Sequence, residues 1–425
     1  MIHIIIAVAI FVIAFVIISF EWINKTIIVV FGAVVYIISG ILDQHKAFAS
    51  VDWNVIFLLV GMMIIVGISK ESGIFQYIAI KSAKLVKGEP IKILLLLSII
   101  TAVISAILDN VTTILIITPV SILIAIELGL SPLPFIISNA IASNIGGTAT
   151  LIGDPPNILI GSAADFSFMD FIVNLAPAVG MTLVVFAITF FLIFRKKLKV
   201  SRELKARIMD FDEKKAITDK TLLIKSLIVI GLTVVGFTIH GVFDLEPATI
   251  ALGGAVLLML LSGEHDVDKF FRDVEWGTIF FFIGLFILVE GLVELGIVGF
   301  LAEKSLELTK GNVKNTSFLL LWISGVFSAF VDNIPYVATM IPLLKNIGAK
   351  LGDPTIVPLW WSLSLGACFG GNGTLIGASA NVVGAGIAEK SGFKISFLEF
   401  TKYGSIMTVL SLGVATLYIM IQFFI

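Results

Sequence analysis

The sequence predicts an all-α polytopic membrane protein made of two inverted repeats. Of its 425 residues, 58% are apolar and 14% are charged, and the mean hydropathy is +1.10. Many apolar runs reach roughly 17–25 residues, the length that crosses a hydrocarbon core as a helix. The weak alternating pattern of a membrane β-barrel is not visible. The second observation, a duplicated set of motifs, predicts the repeats.

The duplicated motifs return in the same order and at the same spacing. LDNVTTILIITP, from Leu108 to Pro119, returns as VDNIPYVATMIP from Val331 to Pro342. GGTATLIGDPPN at 146–157 returns as GGNGTLIGASAN at 370–381, so the offset is 223 residues for the first pair and 224 for the second. A block of this length repeated at one offset indicates an internal duplication.

The first repeat, 1–194, contains three apolar spans, an amphipathic segment, a hairpin, a broken helix and a last span. The hairpin is predicted where two apolar arms meet at the polar pair Asp109-Asn110, because two arms are more economical than one very long helix. The centre of the broken helix, GGTATLIGDPP, cannot remain helical, since each Gly costs about 1 kcal/mol and each Pro about 3 relative to Ala. The predicted elements are 4–20, 27–42, 54–69, amphipathic 73–87, hairpin 91–128, broken helix 134–164 and 171–194.

The second repeat, 221–425, follows the same plan after a polar linker at 195–220. Each half crosses the membrane five times, giving ten spans plus two hairpins, and an odd count forces the halves into opposite orientations. Inverted repeats with discontinuous helices point to secondary transporters, whose site lies where the broken segments meet. The predicted elements are 221–240, 247–262, 277–294, amphipathic 296–310, hairpin 315–348, broken helix 355–390 and 402–424.

Charge asymmetry predicts the orientation in the plasma (inner) membrane. If the 195–220 linker is cytoplasmic, 22 of the 28 Lys and Arg residues fall on that side, at 25, 70–92, 195–225, 269–272 and 390–402. The positive-inside rule then places both termini outside. The basic linker is interpreted as a topology determinant, with a nucleic-acid or lipid-binding patch as the alternative. The run 4–20 lacks a basic start and a small-residue cleavage site, so it is predicted to be a retained span.

The motif pairs LDNVTT…TP with IGGTATLIGDPPN, and VDNIP…ATMIP with NGTLIGASAN, resemble the ion transporter superfamily. Within it they are most similar to the ArsB/NhaD permeases, in the P-protein-like branch. The resemblance implies re-entrant hairpins whose tips meet the broken helices, a homodimer and elevator-type alternating access. It also implies arsenite or antimonite efflux, Na⁺/H⁺ antiport, or an anion flux as in the P-protein relatives. Where related dicarboxylate transporters carry Ser-Asn-Thr at the tips, this chain carries Asp-Asn.

Ionisable groups at membrane depth are costly, so the acids at these breaks are candidate functional residues. Helix capping is the alternative for Asp109, and close helix packing for the glycines. The Thr and Asn residues beside the breaks offer oxygens and amides next to exposed helix ends. The predicted substrate and ion site is Asp109, Asn110, Thr112, Thr113, Gly147, Thr148, Thr150, Asn157, Asp332, Asn333, Gly371, Asn372, Thr374 and Asn381.

Coupling is assigned to the position at which the halves differ. GDPPN in the first repeat becomes GASAN in the second, so Asp154 has Ala378 as its counterpart. Taking a carboxyl group out of water favours its protonated form, which suits a proton carrier. We therefore expect H⁺ coupling at Asp154. Na⁺ is the alternative coupling ion, bound by Asp109, Asn110, Asp332 and Asn333, and no organic cofactor is expected.

Three functional classes remain open. The sequence favours a proton- or sodium-coupled secondary transporter of a small inorganic ion or oxyacid. An anion transporter or channel is the alternative. An intramembrane aspartyl protease is remote, since its Tyr-Asp and Gly-x-Gly-Asp motifs are missing, so we expect no enzyme. There is no GxxxxGK[ST] loop, which leaves an ion gradient or a partner ATPase as the energy source. Cys368 is the only cysteine, which excludes a disulfide within the chain and a three-thiolate arsenic site.

Overall fold

A computed structural model describes residues 2–19, 23–309 and 311–425, and every regular element among them is a helix. Ten helices form the first half. They are α1 (Ile2–Ser19), α2 (Lys25–Ile38), α3 (Gln44–Ala49), α4 (Trp53–Glu71), α5 (Ile74–Leu85), α6 (Pro90–Ile107), α7 (Asn110–Glu127), α8 (Leu133–Gly147), α9 (Pro155–Ala164) and α10 (Phe168–Phe194).

The linker contributes one α-helix and a 3₁₀ turn, and the remaining helices form the second half. They are α11 (Arg202–Met209), the turn Glu213–Ala216, α12 (Lys220–Ile239), the turn His240–Phe243, α13 (Pro247–Ser262), α14 (Val267–Arg272), α15 (Trp276–Glu294), α16 (Ile297–Thr309), α17 (Val313–Phe330), α18 (Asn333–Leu351), α19 (Asp353–Gly370), α20 (Ser379–Lys390) and α21 (Phe397–Phe424).

The predicted order of elements is present in both halves. Each hairpin breaks at the aspartate of its Asp-Asn pair, and each broken helix is interrupted at its Gly-rich centre. Eight of the described helices are long and apolar enough to cross a membrane, and three shorter apolar helices, including α2 and α13, accompany them. The short helices α3 and α14 were not predicted; each leads into the long helix that follows it. The all-α membrane fold class is confirmed.

The inversion of the halves is visible in α4 and α15, which occupy the same place in the two repeats. The C-terminal end of α4 lies beside the segment that precedes α15, where Lys269 Nζ contacts Glu71 Oε2 at 3.0 Å. At the other end, Lys46, just ahead of α4, contacts Glu294 at the end of α15 at 2.7 Å. The two helices therefore run in opposite directions, as an inverted repeat requires.

Glycines allow a close parallel pairing of α2 with α15. Thr26 Oγ1 donates to the carbonyl of Gly277 at 2.7 Å, and further along a side chain at Gly291 would overlap the ring of Tyr36. The repeat-related pair, α4 with α13, is equally close, because a Cβ at Gly61 would meet the backbone of Ala251. Small residues let membrane helices approach at this distance. We call these four helices the frame.

The hairpin arms α6 and α7 run in opposite directions along α8. Both arms hydrogen-bond to Asn139 and Ser143 of α8. Along α6 the contact with Asn139 comes first, whereas along α7 the contact with Ser143 comes first. The bonds are Ser98 to Asn139 and Ser105 to the Ser143 carbonyl in α6, and Asn139 to Ser121 and Ser143 to the Asn110 carbonyl in α7. The chain therefore reverses at Leu108-Asp109, as the hairpin prediction requires.

The 195–220 linker packs against the first half through ion pairs. Lys84 Nζ in α5 contacts Glu213 Oε2 at 2.6 Å, and this ammonium group holds the pKa of Glu213 below its usual range. Lys205 in α11 contacts Glu89 at 2.5 Å, just ahead of α6. The linker is thus a folded surface segment rather than a free tether.

Candidate functional site

Four helix N-termini meet at the centre of the molecule. They belong to α7 and α18, which follow the hairpin tips, and to α9 and α20, which follow the breaks. Helices begin here because the Asp-Asn pairs and the Gly-rich centres interrupt regular structure at these points. Exposed N–H groups give each N-terminus a partial positive charge. The site is therefore suited to hold negative charge.

The two breaks are supported from within by one asparagine each. Asn157 Nδ2 donates to the carbonyls of Thr148 and Thr150 at 3.1 and 2.9 Å. Asn381 Nδ2 does the same for Gly371 and Thr374 at 2.8 and 3.0 Å. The predicted site residues Asn157 and Asn381 thus use their amide donors to satisfy backbone carbonyls that the missing helix turns leave open.

The threonines of the breaks bind the neighbouring hairpins. Thr150 Oγ1 donates to the carbonyl of Ala106 at 2.6 Å, and Thr374 Oγ1 donates to that of Ala329. Gly147 lies against the carbonyl of Gly153, and a side chain at Gly147 would overlap that carbonyl. The two threonines therefore hold each break against its hairpin, and Gly147 allows the close turn within the first break.

Asp154 lies where the two hairpin tips meet. Its side chain is fully buried and makes no capping bond to its own helix α9. Asn110 Nδ2, from the first tip, donates to Asp154 Oδ1 at 3.2 Å, and Asn333 Nδ2, from the second tip, donates to Oδ2 at 3.2 Å. One carboxyl group thus bridges both repeats, and the predicted residues Asn110, Asn333 and Asp154 come together.

Asn144 is a central residue that the sequence interpretation missed. Its Oδ1 accepts from Asn110 at 3.1 Å, and its Nδ2 donates to Asn372 Oδ1 and Asn381 Oδ1, each at 3.0 Å. It therefore joins the first tip to the second break. The signal was available, because SNAIASNIGG carries polar pairs within an apolar helix, ending three residues before Gly147.

At the first tip, Asp109 caps the N-terminus of α7. Asp109 Oδ1 accepts from the backbone N–H of Thr112 at 2.8 Å, and Oδ2 accepts from its hydroxyl at 2.5 Å. This is the capping geometry that the sequence offered as the alternative for Asp109.

Thr113 is fully buried, and its hydroxyl lacks a hydrogen-bond partner among the described residues, as does Asn372 Nδ2. Thr148 donates to the Asn144 carbonyl, within its own helix.

The second tip carries a cation. Asp332 caps α18 through the N–H of Ile334 at 3.1 Å, and its Oδ2 contacts Lys25 Nζ at 2.7 Å. Ser379 Oγ lies 2.7 Å from the same carboxylate oxygen and 2.6 Å from Lys25 Nζ. The sequence interpretation counted Lys25 only as a topology charge. A single Lys beside an apolar run was the available signal for a functional residue.

The site is not symmetric, although the repeats are. Asn144 and Asp154 of the first repeat correspond to Cys368 and Ala378 of the second, both at an offset of 224. Cys368 is buried, with its sulfur 3.7 Å from Asn157 Oδ1. In the described part of the chain, no cluster of three His, Cys, Asp or Glu side chains is arranged to hold a metal ion. The polar centre contains the Asp154 carboxyl group, held by the amides of Asn110 and Asn333.

Comparison with known proteins agrees with this architecture. The sequence profile described as "Citrate transporter" matches residues 15–366. An "uncharacterized transporter" of Mycobacterium tuberculosis is 43% identical over 99% of both chains. The human P protein is 33% identical over 98% of this chain, which spans 59% of the length of that relative.

A solved structure shows the same fold. The YdaH transporter of Alcanivorax borkumensis, described as having an unusual topology, superposes with a TM-score of 0.61 and 11% identity. The match covers 91% of this chain and 88% of the other. The chain, with its inverted repeats and paired hairpins, belongs to the citrate transporter family of the ion transporter superfamily.

Proposed function

We propose that this multi-pass membrane transporter is a secondary transporter of a small inorganic ion or oxyacid, and that Asp154 couples transport to protons. The observation that carries the proposal is the position of Asp154. Its carboxyl group is fully buried and accepts hydrogen bonds from both hairpin tips. No Lys or Arg side chain forms an ion pair with it in the described part of the chain.

Protonation of Asp154 changes how firmly the two tips are held. An ionised carboxylate accepts from Asn110 and Asn333 at once, and hydrogen bonds to a charged acceptor are roughly twice as strong as neutral ones. A protonated carboxyl group loses the charge, and its hydroxyl needs an acceptor of its own. Proton loading therefore weakens the contact between the two hairpin tips.

The charges of the site favour a small solute over a polycarboxylate. Carboxylates of the chain already occupy three of the four helix N-termini, with Asp109 at α7, Asp154 at α9 and Asp332 at α18. These negative charges would repel a citrate trianion, whereas they would attract a cation and would not repel a neutral hydroxylated oxyacid. Arsenite or antimonite efflux and Na⁺/H⁺ antiport are the two substrate hypotheses that fit.

An anion transporter or channel, as proposed for P-protein relatives, is the second candidate. The N-terminus of α20, whose N-cap residue is Ala378 rather than an acid, favours it, since such ends bind anions. Uptake of a solute against its gradient separates a coupled transporter from a channel. We propose no enzymatic activity, since the chain lacks the motifs of the aspartyl proteases with which its buried acids could be compared.

The experiment is a ligand panel on purified protein, with pH and Na⁺ varied, followed by flux into proteoliposomes. Arsenite, antimonite, Na⁺, chloride and citrate are compared by their stabilisation of the protein. The proposal expects stabilisation by a small inorganic solute and its uphill movement when a pH gradient is imposed. Stabilisation by citrate alone, or flux that never exceeds equilibrium, contradicts it.

We further propose the orientation and assembly that the sequence suggested. The protein lies in the plasma membrane with ten crossings, 195–220 cytoplasmic and both termini outside. It forms a homodimer with elevator-type movement and is powered by a gradient, with a partner ATPase as the alternative. Cysteine labels at 195–220 should react only from the cytoplasm, and labels at 241–246 only from outside. Reaction of both from one side contradicts this orientation.

A further inference from the structure

Lys25 lies on the frame, whereas two of the groups it contacts lie on a hairpin tip and a broken helix. Its ammonium nitrogen is 2.7 Å from Asp332 Oδ2 and 2.6 Å from Ser379 Oγ. It also lies over the ring of Phe281 in α15, 5.0 Å from the centroid. A lysine ammonium has three N–H donors. A carboxylate and a hydroxyl accept two of them, and the aromatic face adds a cation–π contact.

This arrangement has the composition of a site for a monovalent cation. Asp332 supplies negative charge, Ser379 supplies an oxygen, and the face of Phe281 supplies its negative quadrupole. The Asp332 side chain is 9% exposed, against 30% for Lys25. A cavity of 270 Å³ opens beside the cluster, and Asn24, Lys25, Asp332 and Ser379 form its polar wall. The ammonium occupies the place beside Asp332 Oδ2 that a bound ion would take.

The first tip has no such cation. Asp109 occupies the same place in the first repeat, but no Lys or Arg in the described ranges lies within ion-pair distance of it. Two acids, Asp154 and Glu275 at the start of α15, lie close enough to Asp109 to interact with its charge. Ser379 is also replaced, by Pro155. The two repeat-related tips therefore present different environments to a cation.

We propose that Lys25 is a tethered cation that fills the cation site of the second hairpin tip. The inference deepens the proposed function, since it rests on the tips being the ion site. The sequence-based hypothesis placed Na⁺ at both tips. In the arrangement with Lys25, only the Asp109 tip is left for an exchangeable ion, and removal of the ammonium creates a monovalent-cation site at Asp332.

The test measures thermal unfolding of purified protein with NaCl or choline chloride at constant ionic strength. Lys25→Gln should gain a saturable Na⁺ response, with a rise in unfolding temperature of about 2 °C or more at ~200 mM. The double variant Lys25→Gln with Asp332→Asn should lose that gain. Lys25→Arg, which keeps the charge, should respond as the wild type does.

Lys46→Gln is the matched control, because Lys46 also forms a 2.7 Å ion pair, with Glu294 on an exposed surface. It should gain no Na⁺ response. If Lys25→Gln is too unstable to purify, its folded yield should be higher when extraction is done in NaCl than in choline chloride. Equal yields, or a purified variant that ignores Na⁺, overturn the proposal. A Na⁺ response of the wild type that Asp332→Asn abolishes also overturns it.

This readout is independent of transport. If proton coupling at Asp154 fails while Lys25→Gln gains a Na⁺ response, the tethered-cation inference stands and the coupling proposal falls. The reverse pattern leaves proton coupling intact and removes the role of Lys25.

Discussion

Replacement of Asn144 by Ala tests whether the polar centre holds the two repeats together. The change removes three side-chain hydrogen bonds, to Asn110, Asn372 and Asn381. Interhelical hydrogen bonds in membrane proteins contribute about 0.6 kcal/mol each on average, so the loss of three bonds should lower the free energy of unfolding by at least about 2 kcal/mol. Asn110 keeps its bond to Asp154, but Asn372 and Asn381 each lose the donor to their amide oxygen. A buried partner left unsatisfied costs roughly 1–3 kcal/mol, so we expect a loss of about 2–6 kcal/mol.

Asn139→Ala is the matched control, since Asn139 lies in the same helix and is equally buried. Among the described residues its side chain bonds to Ser98 and Ser121, both within the first repeat. The control should lose about 1–3 kcal/mol by the same reasoning. Only Asn144→Ala should abolish transport, because only Asn144 connects the first tip to the second break.

The assay is unfolding in detergent, paired with flux per folded molecule in proteoliposomes. Asn144→Ala with wild-type stability and flux would refute the account of the network. Equal losses of flux in both variants would show that helix packing, rather than the connection between repeats, limits transport.

The remaining predictions concern the tips and the helix contacts. Asn110→Ala and Asn333→Ala should each abolish flux while folded protein stays in the membrane, since each removes one donor to the bridging carboxyl group; full flux in either variant would make its tip a scaffold only. Gly146→Ala should destabilise by about 1–3 kcal/mol, because its Cβ would overlap the backbone of Ala102. Gly253→Ala, in open space, should stabilise by about 0.5–1 kcal/mol. Thermal unfolding measures both glycine variants, and a stable Gly146→Ala protein contradicts the contact.

The architecture could be predicted because its determinants are local and duplicated. The Asp109-Asn110 pair between two apolar arms predicts a reversal of the chain, and the Gly and Pro residues near Asp154 predict a break in the helix. Because the motifs repeat at a constant offset, the same reversal and the same break are predicted in the second half. Helix bounds agree closely with the predicted ranges, as in α6 and α7 for the hairpin 91–128.

Part of the site could not be predicted, because its contacts join residues far apart in sequence. The partner of Asp332 is 307 residues away, at Lys25, and no spacing rule connects them. Asn144 contacts Asn372 and Asn381 in the other repeat, although its own counterpart is a cysteine. Asn157 and Asn381 are predicted ligands, and their amide donors also bind backbone carbonyls, which the sequence pattern does not indicate.

Proton-driven flux of Asp154→Asn in proteoliposomes tests the central claim most directly. Asn keeps the shape, and its Oδ1 can accept from one of the two tips, but its Nδ2 can only donate and it cannot carry a proton. Asp165→Asn, at the other end of α9 in a left-handed conformation that Asn tolerates, is the control. The account predicts that Asp154→Asn loses flux driven by a pH gradient but retains exchange of substrate, while Asp165→Asn keeps both. Unchanged pH-driven flux in Asp154→Asn would contradict the account.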